Sequence, residues 1–261
     1  MLRFAVIGHP VAHSLSPRIH AANFRALGMD AAYDAVDVAP EDLAARLRRF
    51  AADGLRGINV TVPHKVAVKE LVDRVDSSAD EADAVNTVLF APDGSTTGFN
   101  TDMAGFLHPL KSIDFPFASA RVLVIGAGGA SRAVMAACRA AGCAVVTQAN
   151  RTARPGMLQL GSDECLAAAR SADLVVNATT VGLREGEPCV IAPDVFRAGQ
   201  LVYDLIPVAR ETATLAAARA AGARTLDGLG MLAAQAAESF RIWTGRVADL
   251  SAMLAALGRM A

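Results

Sequence analysis

The chain has 261 residues, 53% hydrophobic and 20% charged, with 25 basic side chains against 26 acidic ones. Such a chain is globular, with a sizeable core and room for one large domain or two modest ones. A net charge of −1 leaves no electrostatic footprint for nucleic acid or an anionic membrane, and no apolar run approaches the roughly 18 residues that span a bilayer.

Residues 3–7 read as a short apolar strand, cut off by Gly8-His9-Pro10 before it resembles a signal peptide. The four cysteines, Cys138, Cys143, Cys165 and Cys189, have no paired spacing and read as reduced thiols, so a cytoplasmic protein is expected. The Asn-x-Thr triplets at Asn59, Asn150 and Asn177 are then chance matches to a glycosylation signal. Pro17 sits just inside the start of a helix over 18–27, with Ser16 as its N-cap. Ser14 and Ser16 place two hydroxyls at that helix N-terminus, where the dipole favours an anion such as a carboxylate; plain capping is the competing role. A strand over 32–38 and a helix over 42–53 follow. The stretch Gly57-Ile58-Asn59-Val60-Thr61-Val62-Pro63-His64-Lys65 is a strand ended by its proline. It delivers Asn59, Thr61 and Lys65 to a strand's carboxyl end, where open α/β sheets bind ligands. A lysine there can protonate a developing alkoxide, or be an ordinary surface lysine.

Residues 66–75 read as helical and 76–83 as a polar link. Strands over 85–90 and 95–99 form a hairpin at Pro92-Asp93-Gly94. Asn86 lies on the first, and Asn100-Thr101-Asp102 follows the second, so Asp102 either offers a carboxylate on a loop or caps a helix over 103–110. A domain boundary is placed within 102–120. The segment Val122-Leu123-Val124-Ile125 is a buried parallel strand, and Gly126-Ala127-Gly128-Gly129-Ala130 turns it into an alanine-rich helix over 131–141. Strand, glycine turn and helix form the first βα turn of a dinucleotide-binding unit, with a pyrophosphate at the helix N-terminus. Ser131 takes the third fingerprint position. A second strand over 143–149 ends in Asn150-Arg151-Thr152. NAD sites carry an acid here, about 20 residues past the glycines. Asn150, Arg151 and, slightly later, Arg154 suit the 2′-phosphate of NADP instead, unless Arg151 is a plain solvated arginine. The short link over 152–173 leaves room for a reduced crossover helix at 163–170. Strands over 174–177, 201–205 and 225–227, and helices over 212–221, 232–244 and 247–257, complete the chain. His9, His13, His20 and His64 lie in the first third, but no Glu or Cys spacing supports a metal site.

Taken together these motifs resemble the shikimate dehydrogenase family across nearly the whole chain. His13-Ser14-Leu15-Ser16-Pro17 is similar to its substrate-carboxylate loop, and the Gly57–Lys65 stretch to its catalytic lysine motif. Ala84-Val85-Asn86-Thr87 and Asn100-Thr101-Asp102 resemble its substrate asparagine and catalytic aspartate segments. The glycine turn and Asn150-Arg151-Thr152 resemble its NADP-binding pair, and Gly230-Met231 with Gln235 its last substrate-contacting helix. The resemblance implies an α/β protein: an N-terminal open α/β substrate domain (1–103, completed by 232–261) and a Rossmann-type doubly wound NADP-binding domain (104–231). It implies reversible NADPH reduction of 3-dehydroshikimate to shikimate, a step of aromatic amino acid biosynthesis. Lys65 and Asp102 would be catalytic. Ser14, Ser16, Thr61, Asn86 and Gln235 would hold the substrate. Gly126, Ala127, Gly128, Gly129, Ala130, Asn150, Arg151, Thr152, Arg154, Thr179, Gly228 and Met231 would hold the cofactor. Neither metal, nucleic acid nor membrane is implied, and the state is monomer or homodimer. Two positions depart from the family: Pro207 stands where a second tyrosine usually follows Tyr203-Asp204, and Asp83 where glycine commonly precedes Ala-Val-Asn-Thr. The alternatives are a quinate, amino-shikimate or other cyclic hydroxy-acid dehydrogenase, and a catalytically idle NADP-binding homologue.

Overall fold

The computed structural model describes residues 1–152 and 154–258. The chain divides into two compact units: Met1–Gly105 together with the chain from Leu232 onward, and Phe106–Met231. The first contains β1 (Leu2–Gly8), α1 (Ser16–Ala26), β2 (Ala31–Asp37), α2 (Leu43–Ala52), β3 (Gly57–Val60), α3 (Lys65–Lys69), β4 (Arg74–Val75), α4 (Ser77–Glu81), β5 (Thr87–Phe90) and β6 (Thr96–Phe99). Helix α5 (Asp102–Ser112) carries the chain into the second unit. There follow β7 (Arg121–Ile125), α6 (Gly129–Ala140), β8 (Val145–Asn150), β9 (Leu158–Gln159), α7 (Asp163–Ser171), β10 (Leu174–Asn177), β11 (Leu201–Asp204), α8 (Ala213–Ala220) and β12 (Arg224–Asp227). Helix α9 (Gly228–Thr244) returns the chain to the first unit, which α10 (Leu250–Ala256) ends.

The first unit is built on a mixed sheet ordered β2-β1-β3-β5-β6-β4. Strand β1 is parallel to β2 and β3, and β5 is antiparallel to β3 and β6. Successive strand side chains point to opposite faces, and β1 has both faces covered. Ala5 and Ile7 pack with Leu43, Leu47 and Phe50 of α2, whereas Phe4 and Val6 pack with Phe24, Phe240 and Trp243. Two covered faces explain why the strand is an unbroken apolar run rather than an alternating one.

The second sheet is parallel throughout, ordered β12-β11-β10-β7-β8-β9. Counted from β7, this is the 3-2-1-4-5-6 order of a doubly wound dinucleotide fold, in agreement with the Rossmann-type expectation. The order reverses between β7 and β10, so their carboxyl ends, leading into Gly126 and Ala178, flank the switch point.

Several elements differ from the sequence reading. The helix expected over 66–75 stops at Lys69, because Arg74 and Val75 pair with β6 instead. Asp73 fixes that pairing: its Oδ2 accepts from the Thr96 backbone N–H and hydroxyl, each at 2.7 Å. The link over 76–83 contains α4, started by Asp76 Oδ1 accepting from the Ser78 N–H at 2.9 Å. Helix α9 begins at Gly228 rather than 232, with Asp227 Oδ1 accepting from the Leu229 N–H at 3.1 Å. Helix α10 begins at Leu250 rather than 247, behind Asp249, its N-cap. Among the described residues no helix is long and apolar enough to cross a membrane.

Candidate active site and cofactor site

Lys65 opens α3 and Asp102 opens α5, and the two meet in a buried ion pair in which Lys65 Nζ donates to Asp102 Oδ2. Their side chains are only 13% and 6% exposed, so water screens the pair weakly. The second carboxylate oxygen, Asp102 Oδ1, accepts from Asn86 Nδ2 at 2.8 Å. The capping role considered for Asp102 belongs to its neighbour. Asn100 Oδ1 accepts from the N–H groups of Asp102 and Met103, at 3.0 and 3.3 Å. Asn100 is anchored in turn by donating to the Ala84 carbonyl at 2.9 Å. Because Asn100 satisfies the helix start, the Asp102 carboxylate is left for Lys65 and Asn86.

Behind this pair lies a buried polar cluster. Asn86 Oδ1 accepts from the Thr101 N–H at 2.8 Å and the Thr87 hydroxyl at 3.0 Å, while Asn86 Nδ2 also reaches Thr101 Oγ1 at 3.0 Å. Gln235, on α9, accepts from the Thr101 hydroxyl at 3.4 Å and donates to the Leu232 carbonyl at 3.0 Å. Thus Lys65, Asn86, Asp102 and Gln235 come together from α3, the approach to β5, α5 and α9. Sequence reasoning missed Tyr33, Thr87 and Ser239 in the same cluster. Ser239 did leave a signal: it is a polar residue one helical turn beyond Gln235 on an otherwise apolar stripe.

Ser14 lies on the loop after β1, Ser16 opens α1, and Thr61 directly follows β3, the strand beside β1. The Thr61 N–H donates to the Ile7 carbonyl at 2.8 Å, which ties the two strand ends together. Ser16 is not the N-cap of α1: the helix already begins at Ser16, Leu15 stands at the N-cap, and no side chain among the described residues caps it. Ser14 Oγ instead accepts from the Ser16 N–H at 3.3 Å. Beneath this loop His20 stacks on Tyr33 with ring centroids 4.2 Å apart. Burial drives the His20 imidazole down to about 3, so it is neutral. His64 bonds the Val38 carbonyl and His9 bonds Asp37. Among the described residues no group of three or more His, Cys, Asp or Glu is placed to hold a metal ion.

In the second unit, three loops leave the carboxyl ends of β8, β7 and β10 side by side. Gly126 has φ +128°, and a Cβ there would stand 2.7 Å from the Ala178 carbonyl oxygen, so the turn excludes other residues. Its own carbonyl accepts from Ser131 Oγ at 2.7 Å and Gln148 Nε2 at 2.9 Å, which braces the turn against α6 and β8. At Gly128, the N-cap of α6, a Cβ would meet nothing within 4 Å among the described residues, and none of their side chains caps the helix. Ala127, Gly129 and Ala130 complete the turn into α6. Asn150 ends β8 and donates to the Thr152 carbonyl at 2.9 Å. Arg151, Thr152 and Arg154 are exposed, and neither arginine has an ion pair among the described residues. Thr179 sits in a turn where Asn177 Oδ1 accepts its N–H at 3.1 Å and its hydroxyl at 2.7 Å. Asn177 is held by donating to Asp204, a carboxyl pushed up by burial and bonded also by Thr212. Gly228 lies against the Leu205 backbone, and Met231 is buried on the first turn of α9. Tyr203 does not replace the tyrosine absent at Pro207: its ring stacks on Phe106 at 5.3 Å and its buried hydroxyl has no partner among the described residues. Asp83, in the other departing position, has φ +47°, a left-handed backbone that explains a preference for glycine there.

Comparison with known proteins gives two matching family models. The shikimate dehydrogenase substrate binding domain matches residues 6–88, and the shikimate 5′-dehydrogenase C-terminal domain matches residues 228–257. A shikimate dehydrogenase (NADP(+)) of Moorella thermoacetica is 43% identical, with 95% of this chain and 90% of that protein covered. The crystal structure of shikimate 5-dehydrogenase from Thermus thermophilus, in complex with NADP(H) and shikimate, has a TM-score of 0.90 and 41% identity over 99% of each chain. Quinate dehydrogenase from Corynebacterium glutamicum, in complex with NAD, has a TM-score of 0.85 and 31% identity, with 97% of this chain and 96% of that chain covered.

Proposed function

We propose that this chain, which belongs to the shikimate dehydrogenase family, is an NADP-dependent shikimate dehydrogenase that reversibly reduces 3-dehydroshikimate to shikimate. The observation that carries the reading is the withdrawn Lys65–Asp102 pair with Asn86 on its second oxygen. As a ring ketone is reduced, its oxygen gains negative charge. Lys65 stabilises that charge and gives up a proton to it; in the oxidative direction Lys65 takes the proton back. Asp102 orients the Lys65 ammonium. Asn86, Thr61 and Gln235 bind ring hydroxyls, and Ser14 and Ser16 bind the carboxylate. A site lined by polar donors rejects analogues lacking a matching hydroxyl, because its own buried groups would be left unpaired.

The second unit fits a dinucleotide phosphate. The uncapped start of α6 offers backbone N–H groups, the space beside Gly128 admits a pyrophosphate, and Arg151 and Arg154 suit a 2′-phosphate. Bound NADPH supplies the hydride. Asn150, Thr152 and Thr179 complete the adenosine side of the site, with Gly228 and Met231 following β12. Free cysteines at all four positions support a reducing, cytoplasmic setting for a monomer or homodimer.

Quinate is the competing substrate, favoured by the absence at Pro207 of the hydroxyl that Tyr203 does not restore. Initial rates on shikimate and quinate, each with NADP+ and with NAD+, test the reading. Turnover should be fastest with shikimate and NADP+. Preference for quinate would transfer the activity to that substrate, and NADP+ binding without turnover on either acid would make the protein an idle homologue.

A further inference from the structure

We propose that Ser239, on α9, is a positioning residue for the acid–base pair; the inference rests on the dehydrogenase reading above and deepens it. Ser239 is fully buried. Its Oγ lies 2.9 Å from Asn59 Nδ2, 2.8 Å from Thr87 Oγ1, 3.1 Å from Thr101 Oγ1 and 3.0 Å from the Gln235 carbonyl oxygen.

Neighbouring donors orient the two asparagine amides of this cluster. The Tyr33 hydroxyl donates to Asn59 Oδ1 at 2.6 Å, which turns Asn59 Nδ2 toward Ser239 and Thr87. The backbone N–H of Thr101 donates to Asn86 Oδ1, which turns Asn86 Nδ2 toward Thr101 Oγ1 and Asp102 Oδ1. With Thr87 donating to it as well, Asn86 Oδ1 has both lone pairs in use. Thr101, accepting from Asn86, must therefore place its own proton elsewhere. Ser239 Oγ at 3.1 Å is a closer acceptor than Gln235 Oε1 at 3.4 Å. Ser239 then accepts from Asn59 and Thr101, and its one proton is shared between Thr87 Oγ1 at 2.8 Å and the Gln235 carbonyl at 3.0 Å, so all its hydrogen-bonding capacity is met.

By taking the Thr101 proton, Ser239 leaves the Thr101 lone pairs facing Asn86 Nδ2 and keeps that amide on Asp102. Without the Ser239 hydroxyl, Thr101 competes for Asn86 Oδ1, 3.2 Å away. The Asn86 amide then twists, and its bond to Asp102, which orients Lys65, loosens. Packing alone does not require a hydroxyl here, since Ala236, Phe240 and Trp243 on the same helix are buried and apolar.

The test compares Ser239→Ala and Ser239→Thr with wild type in shikimate oxidation by NADP+, alongside hydrogen exchange of the Asn86 side-chain amide by NMR in the ligand-free protein. Ser239→Ala should lower kcat roughly tenfold with KM within about twofold. Ser239→Thr should restore most of the loss, and Asn86 amide exchange should quicken only in the alanine variant. Unchanged exchange in Ser239→Ala overturns the proposal, as does a fall in kcat that the threonine variant does not relieve. If wild type does not turn over shikimate, the functional reading fails on that result, and the exchange measurement alone decides the role of Ser239.

Discussion

Gly126 and Gly128 lie two residues apart in one turn, yet a methyl group meets opposite surroundings at each. At Gly126 it would stand against the Ala178 carbonyl on a backbone with positive φ; at Gly128 it would enter open space on an extended backbone. Gly126→Ala should therefore destabilise the fold by about 1–3 kcal/mol, through strain and overpacking. Gly128→Ala should leave stability within about 0.5 kcal/mol of wild type, while raising the KM for NADP+ at least about tenfold, because the methyl occupies room left for phosphates. Denaturant unfolding and initial rates on the two variants separate these effects. An unchanged KM in Gly128→Ala would remove the pyrophosphate from this turn. The same residue-by-residue logic divides Asn100 from Asp102. Both are residues that cap helices, and only the observed bonds show that Asn100 caps α5 and frees Asp102 for Lys65.

Among the elements, β3 and α9 are fastened by one close approach. A Cβ at Gly57 would collide with the indole of Trp243, whose Nε1 donates to the Val88 carbonyl on β5 at 3.0 Å. Gly57→Ala must therefore push α9 away or break that bond, at a cost of about 2 kcal/mol or more. The displacement should also slow catalysis, since α9 carries Gln235 and Ser239. Unfolding free energy together with kcat measures both, and a variant as stable and as active as wild type would contradict this packing. The apolar strands β1 and β7 and the glycine turn were legible in the sequence because their patterns are local. The end of α3 at Lys69 was not, because it is decided by Asp73 meeting Thr96 across the sheet, 23 residues away. Ser239 was still harder to see: its bond to Asn59 joins residues 180 positions apart.

For the molecule as a whole, the first unit carries a pH dependence of its own. His20 titrates at about 3 when folded and near 6.5 when unfolded, because burial disfavours its charged form. Below about pH 6 the unfolded chain binds a proton there that the folded chain refuses. This group therefore removes about 1.4 kcal/mol of stability for each pH unit between roughly 6 and 4. Its contribution is constant above that window. Replacing His20 with Phe keeps a ring on Tyr33 and should remove that slope. Urea unfolding followed by the emission of Trp243, the only tryptophan, reads the unit in which both residues lie; equal slopes in the two proteins would contradict the assignment. The reactive centre depends on Lys65 held by Asp102, and the most direct test is kcat/KM for shikimate with NADP+ in wild type and in Lys65→Ala. A loss of about 10²–10⁴-fold is expected in the folded Lys65→Ala protein. Near-full activity in the alanine variant would contradict it.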